Sequence, residues 1–440
     1  MKSCMKIQAG WGRVITAKAP MMRPEFIADL QPIVQYAKQS ILAYGCGRSY
    51  GDVALTAGGT SVLTTRLNRF ISFDTNTLEL VCEAGVTLRD IQTTFLPRKI
   101  GLITSPGTAW VTVGGAIAND VHGKNHESKG SFGQHVVWFE LLLASGKIIR
   151  CSRTENQSVF FATIGGLGLT GIITIACLQL QKQTIAVLTH HEMIPDLTTM
   201  LLRLQAVRET STYSAAWLDM ISSAKKSGRG ILSTAEPDSV VLELQPLRSR
   251  QLPNFYSHFL NNVSMRCFNH LYYHHAAHRK KSFTQSLPEF LYPLDALENW
   301  NHLYGKKGFY QFQCVIPDNA ANAGITEIVN VVRASSHLPY LAVLKTLGDE
   351  SGGLLSFPIR GFTLALDFPN QKNILSLLNQ LETITVAHQG RTYLAKDASL
   401  SADNFALMYP KLKEFREILN KIDPEHRWES LLSKRLQIRN

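Results

Sequence analysis

Tyr44-Gly-Cys-Gly-Arg-Ser-Tyr-Gly-Asp52 is the stretch on which the fold turns. It follows a short apolar run, Ile41-Leu-Ala-Tyr44, that reads as a buried strand feeding a glycine loop. Glycine reaches positive φ and brings no Cβ between backbone and ligand. Three later segments share the character: Ser105-Pro-Gly-Thr108, Val113-Gly-Gly-Ala-Ile-Ala-Asn-Asp-Val-His-Gly-Lys-Asn-His126 and Ile164-Gly-Gly-Leu-Gly-Leu-Thr-Gly171. Successive backbone N–H groups in such turns form concavities that hold anions such as a pyrophosphate. One loop would mean little. Four of them within the first 171 residues point to a large phosphate-bearing cofactor lying along the chain.

The chain has 440 residues, more than one hydrophobic core usually serves, so two domains are expected. With 45% apolar and 18% charged residues it is globular, which excludes a disordered chain. The net charge of +11 suits an anionic partner, whether nucleic acid, anionic lipid or a phosphorylated substrate; it equally suits a basic background. There is no helix-turn-helix, zinc-finger or aromatic RNA-binding signature, so nucleic acid is not expected as a partner. Seven cysteines are scattered without a C-x-x-C pair, which argues against a disulfide framework and a structural zinc site and for a reducing, cytoplasmic setting. Residues 1–10 lack an apolar signal region, and no apolar run reaches transmembrane length. Membrane contact is therefore expected to be peripheral.

Helical spacing of apolar residues predicts a helix over 24–43 and another over Leu88–Phe95. Alternation predicts strands at Leu78–Gly85, Ile172–Gln183, Val240–Leu244 and Phe309–Ile316. Val136–Ala144 and Ile148–Cys151 read as a hairpin turning at Ser145-Gly-Lys147. The glycine loops stop after about 185, and Arg391-Thr-Tyr-Leu-Ala-Lys396 suggests a return to the first domain. The expected architecture is α+β: residues 1–184 and 391–440 form the cofactor domain, and 185–390 an inserted substrate domain on an antiparallel sheet.

Gly45-x-Gly47-x-x-Tyr50-Gly51 is not a Rossmann fingerprint, because the third glycine is displaced and no acidic ribose ligand follows at the usual distance. Taken with Pro106-Gly107, Gly114-Gly115 and Gly165-Gly166-x-Gly168, it resembles the two-lobed FAD domain of the vanillyl-alcohol-oxidase and p-cresol-methylhydroxylase type. A longer set extends the match: Trp11-Gly-Arg13, His122-Gly-Lys-Asn-His126, Gly130-Ser-Phe-Gly133, Pro293-Leu-Asp295, Trp300-Asn301, Leu303-Tyr-Gly305, Tyr310-Gln-Phe-Gln313, Ala395-Lys-Asp397 and Met408-Tyr-Pro410. Together these resemble the oxidase subunits of decaprenylphosphoryl-β-D-ribose 2'-epimerase, over nearly the whole chain. The resemblance implies FAD-dependent oxidation of the ribose 2'-hydroxyl of a polyprenyl-phosphate sugar to a ketone. A separate NAD(P)H-dependent reductase would complete the epimerisation to arabinose, at the cytoplasmic face of a membrane. Relatives with covalent FAD carry histidine where this chain has Arg48, so the flavin is expected to be non-covalent unless Cys46 or another side chain takes that role. A sugar or aldonolactone oxidoreductase acting on a soluble substrate is the alternative within the superfamily.

The same resemblance assigns the site. Gly45, Cys46, Gly47, Arg48, Ser49, Tyr50, Gly51, Pro106, Gly107, Gly114, Gly115, Asn119, His122, Gly123, Asn125, Ile172 and Tyr393 would hold the cofactor. Lys396 and His122 would be catalytic. Lys396, desolvated against a flavin, serves either as a base or as a fixed positive charge. His122 titrates near neutrality and suits a base or a donor. Lys124 and Lys345 suit the substrate phosphate. Gln311 and Gln313 share one face of a strand and would hold sugar hydroxyls or the flavin edge. Tyr50, Trp217, Ala365 and Asp367 complete the substrate list; Ala365 stands where other members carry a cysteine that covalent inhibitors attack. His270, His274 and His278 recur at helical spacing, but no carboxylate or cysteine completes a metal set. With Phe268, Tyr272, Tyr273 and Arg279-Lys-Lys281 they read either as an interfacial patch near the pocket mouth or as a solvated loop.

Overall fold

The computed structural model describes residues 4–221, 228–243, 250–251, 260–278 and 281–439, the side chains of 276–278 excepted. Three large sheets organise the described residues, beside a two-stranded pair of Arg250–Gln251 with Leu297–Glu298. The first has the order Cys4–Ala9, Thr16–Met22, Thr60–Leu63 and Ile41–Tyr44, with the last three strands parallel. Its strand Ile41–Tyr44 delivers the first glycine loop. The second sheet is antiparallel and centres on the long strand Ile172–Lys182, flanked by Glu79–Glu83 and Val136–Leu142. The hairpin with Ile148–Ser152 forms as the sequence suggests. So does the helix Leu88–Phe95, whose first turn is capped by Thr87 accepting the Asp90 amide.

The third sheet has eight strands and is antiparallel throughout, in the order Ser282–Ser286, Ala186–Ile194, Gly230–Asp238, Tyr213–Leu218, Leu341–Leu347, Gly361–Pro369, Phe309–Pro317 and Arg391–Thr392. Helices Leu197–Val207, Asp318–Ala334 and Ile374–Ala387 cover one face, where Phe312, Cys314, Ile316, Leu364 and Leu366 are buried. Because side chains alternate across a strand, Gln311, Gln313, Ala365 and Lys345 lie on the opposite face. That face looks toward the glycine loops. Beyond Thr392 the chain leaves this sheet. Helices Ala402–Met408, Leu412–Ile422 and Leu431–Arg435 bury Phe405, Phe415, Leu419 and Leu432 in the core that also holds Phe139 and Phe160 of the second sheet's side.

Two predicted elements differ. The helix expected over 24–43 is only a 3-10 turn, Ile27–Asp29, and a short helix, Leu30–Tyr36. Its end is set from far along the chain, because Arg427 donates to the carbonyls of Val34 and Ala37 and so satisfies the helix's open C-terminus. The strand expected at Val240–Leu244 is displaced: 240–243 carry no regular structure, Leu244 lies outside the described residues, and the real strand is Gly230–Asp238. It stops where its partner strand begins at Ala186, and Asp238 accepts the Val240 amide in a turn. Among the described residues no helix is long and apolar enough to cross a membrane.

Candidate active site

A cavity of about 320 Å³ opens where the three sheets meet. Its first end is a backbone cradle. Gly45 to Tyr50 line one wall and Pro106 to Thr108 another, with Gly114 and Gly115 between them. Among the described residues, the amides of Cys46, Gly47, Arg48 and Ser49 donate to no protein acceptor. Successive amides left free in one concavity make a site for an anion. Gly47 has φ +63°, and a Cβ there would stand 2.3 Å from the Tyr44 hydroxyl. A Cβ on Gly107 would meet no atom within 4 Å, because it would point into the cavity. The side-chain Nε of Arg48 and Oδ1 of Asn119 are buried without partners. Donors without acceptors, and a glycine at 107 whose missing side chain leaves open space, fit an elongated phosphate-bearing group such as FAD.

Other motifs hold this cradle in place. Asp295 accepts the Ala109 amide at 2.8 Å, and Tyr292 meets Ser105 at 2.7 Å, which fixes the second loop. Asn301 donates to the Trp11 carbonyl at 2.9 Å. Trp11 and Trp300 then meet edge to face at 5.9 Å, and the Arg48 guanidinium lies 4.0 Å over the Trp11 ring. Trp11 and Trp300 both line the cavity.

The second end is polar and formed by the third sheet. Gln311, Gln313, Val343, Lys345 and Ala365 line it together with His122, Tyr50, Tyr393 and Lys396. The register explains the grouping: Gln313 faces Ala365 across one ladder, Ala365 faces Val343 across the next, and Lys345 faces Thr363. Gln313 Nε2 stands 3.2 Å from His122 Nε2 and 3.2 Å from Thr363 Oγ1. His122 Nδ1 has no protein partner. Burial, then Lys345, His126 and Lys396, push the His122 pKa well below its usual value, so the ring is neutral. Lys396 Nζ lies 3.6 Å from the centroid of the Tyr50 ring. Burial drives the lysine toward its neutral amine, while Asp367 opposes that shift. Lys345 is likewise lowered to about 8 by burial. Three groups able to hold or pass a proton, His122, Lys345 and Lys396, thus crowd one end of a cavity whose other end is built for phosphate.

Several residues assigned from the sequence stand off the cavity wall. Lys124 donates to the Phe290 carbonyl, with Nζ 4.2 Å over that ring. Gly51 packs against Asp397, where a Cβ would lie 1.7 Å from the Asp397 oxygen. The Gly123 carbonyl takes a 3.5 Å contact from Lys345, and Asn125 donates to the Ile103 carbonyl at 2.8 Å. Ile172 sits between Gly171 and Ile173, which do line the cavity. Asp367 is behind Gln311, and Trp217 meets Tyr272 edge to face at 4.9 Å. Trp217 is the cross-strand partner of Val343, so it continues the cavity floor outward. Tyr272 belongs to the helix Asn262–His278, which carries exposed Val263, Phe268 and Leu271 alongside Arg266, His270, His274 and His275. The side chain of His278, and all of Arg279 and Lys280, lie outside the described residues.

Sequence reasoning missed Trp11, Trp300, Leu341 and Val343 as cavity residues. The alternation Leu341, Val343, Lys345 was a usable signal, since residues two apart on a strand share a face. For the two tryptophans no local pattern distinguishes a cavity wall from core.

Comparison with known proteins agrees with the geometry. An FAD binding domain family matches residues 19–152, and a D-arabinono-1,4-lactone oxidase family matches 362–436. Decaprenylphosphoryl-β-D-ribose oxidase of Mycolicibacterium smegmatis is 35% identical over 98% of this chain and 97% of its own length. An uncharacterised protein of Streptomyces coelicolor is 32% identical over 80% of this chain and all of its own. L-gulonolactone oxidase of Bos taurus is 28% identical over only 39% of the chain and 40% of its own length. The lactone-oxidase likeness is partial, whereas the ribose-oxidase likeness runs from end to end. The chain belongs to the decaprenylphosphoryl-β-D-ribose oxidase family of FAD-dependent oxidoreductases.

Proposed function

We propose that this protein oxidises the 2'-hydroxyl of a polyprenyl-phosphoryl ribose to the 2'-ketone, the first half of an epimerisation to arabinose. The observation that carries this reading is the two-ended cavity, with free amides at one end and His122, Lys345 and Lys396 at the other. Bound FAD supplies the hydride acceptor. Gly45 to Tyr50, Pro106-Gly107, Gly114-Gly115 and Asn119 hold it, with no side chain at position 48 able to form the covalent link. Gln311 and Gln313 orient the sugar hydroxyls. Lys345 is the phosphate ligand, while Lys124 braces the wall from behind. The hydroxyl proton passes to whichever of His122 and Lys396 is neutral, because only a free lone pair can take it. Ala365 leaves room on the sheet floor, and Trp217 continues that floor toward the outside.

The substrate domain corresponds to 185–390, clasped by a cofactor domain of 1–184 and 391–440. The helix Asn262–His278, apolar and basic on its outer side, faces an anionic membrane surface from which the lipid substrate enters. A separate NAD(P)H-dependent reductase takes up the keto product, and the work is done at the cytoplasmic face of that membrane.

The test is anaerobic mixing of the FAD-loaded protein with a short-chain polyprenyl-phosphoryl ribose, following the visible flavin band. Bleaching by the phosphoryl ribose, with no bleaching by free sugars or aldonolactones, is expected. Bleaching by a lactone alone sinks the reading and favours a soluble-substrate oxidoreductase.

A further inference from the structure

Asp367 is not on the cavity wall, yet it is buried to 1% exposure directly behind the reacting end. It sits on the strand Gly361–Pro369 as the cross-strand partner of Gln311. Gln311 Nε2 donates to Asp367 Oδ1. An amide has one donor end and one acceptor end, so with its N–H engaged by the carboxylate, Gln311, a residue of the cavity wall, has its carbonyl oxygen left for the cavity. The other carboxylate oxygen, Oδ2, is buried without a hydrogen-bond partner. A buried carboxylate left half satisfied is costly unless a nearby cation answers it.

The cation is Lys396. Burial pushes the Lys396 amine down and the Asp367 carboxyl up, each to about 7. Against that, each group favours the charged form of the other; among the described residues Asp367 is the acidic group that does so for Lys396. Lys345 opposes the lysine's charge, and His122 on the facing segment is neutral. Tyr50 and Tyr304 are the phenols beside the carboxylate, and both are kept protonated by burial. Two contacts favour the charged forms of the pair. The Lys396 Nζ lies 3.6 Å over the Tyr50 ring, where an ammonium is attracted by the ring face and a neutral amine is not. The N–H of Gln311 on Oδ1 favours the carboxylate over the acid.

Resting on the functional reading above, we propose that Asp367 is a positioning residue. Through Gln311 it aims an amide carbonyl into the cavity, and as a buried carboxylate it keeps Lys396 an ammonium ion. Lys396 is then the fixed positive charge that answers the negative charge gathering on a reduced flavin. The hydroxyl proton falls to the neutral imidazole of His122 at Nε2, the lone-pair nitrogen that accepts from Gln313 here and must exchange that contact for the substrate hydroxyl. Asp367 neither touches substrate nor takes that proton.

Asp367→Asn separates the two jobs, because its amide oxygen still accepts from Gln311 but the negative charge is gone. Two measurements on the FAD-loaded protein decide the matter: the pH profile of flavin bleaching by polyprenyl-phosphoryl ribose, and the flavin midpoint potential between about pH 6 and 9. Without its counter-charge Lys396 loses its proton at lower pH. The alkaline limb of the bleaching profile should move to lower pH, with the rate falling about tenfold per pH unit above it. The midpoint potential should become more negative over the same range. An unmoved limb and potential overturn the proposal. So does an acid limb that moves down with a faster rate at neutral pH, since that marks Lys396 as a free amine acting as base. Should Asp367→Asn fail to fold, Asp367→Ser is used, and formate restoring the limb and the potential is the supporting result. The potential needs no substrate, so it reports on Asp367 even where the wild-type flavin ignores the phosphoryl ribose, an outcome that sinks only the functional reading.

Discussion

Arg435, on the last helix, donates to Asp397 Oδ2 at 2.8 Å, and Asp397 is the residue after Lys396. The same guanidinium forks onto Asp52 at 2.8 and 2.9 Å, at the end of the first glycine loop. One side chain near the C-terminus therefore ties the cofactor loop to the turn that presents Lys396. Both carboxylates are almost wholly buried, so removing the cation leaves two uncompensated charges in the interior.

Arg435→Ala should destabilise the FAD-free protein by about 3–5 kcal/mol, read as a lower midpoint in chemical denaturation. Arg435→Lys should recover only part of this, because a single ammonium cannot reproduce the fork that reaches both partners. Equal stability of Arg435→Ala and wild type would mean the network carries no weight.

Gly51 and Gly107 should respond oppositely to alanine. At Gly51 the Cβ would overlap the Asp397 oxygen at 1.7 Å, backbone against backbone, so Gly51→Ala should yield little folded protein. At Gly107 the Cβ points into open cavity, so Gly107→Ala should melt like wild type. Its FAD affinity should fall about tenfold, roughly 1.4 kcal/mol, measured by titrating FAD into the FAD-free variant.

Lys396→Ala should keep FAD at one per chain yet slow bleaching by polyprenyl-phosphoryl ribose about 10²–10³-fold, the usual effect of removing a charge that stabilises a developing anion. Rapid-mixing absorbance measures it. A variant that loses FAD altogether would instead place the lysine in cofactor retention.

Ala365 lies on the cavity floor between Gln313 and Val343. The wild type should therefore give no adduct at 365 with cavity-directed electrophiles. Cys46 also lines the cavity, but burial pushes its pKa to about 11, which leaves an unreactive thiol. Ala365→Cys should gain one adduct, mapped by peptide mass, while flavin bleaching continues, since hydride transfer needs no thiol.

What the amino-acid order determined on its own was local. The loop at Gly45 to Gly51 and the turn at Pro106-Gly107 are legible because positive φ and close approach leave a residue-type signature at the position itself. Leu88–Phe95 and the hairpin at Ser145-Gly146 are legible because period and turn chemistry are short-range. Tertiary structure decided the rest. Lys124 and Lys345 look alike as phosphate ligands in the sequence, yet one turns to the Phe290 carbonyl and the other to the cavity. The helix beginning at Leu30 ends where Arg427, some 390 residues away, reaches its carbonyls. Asp367 stands among the substrate residues that the resemblance assigns, and it is sheet register, setting it against Gln311, that places it behind the cavity wall. Those relations depend on which strands pair and what is desolvated, and neither is encoded within a window of neighbouring residues.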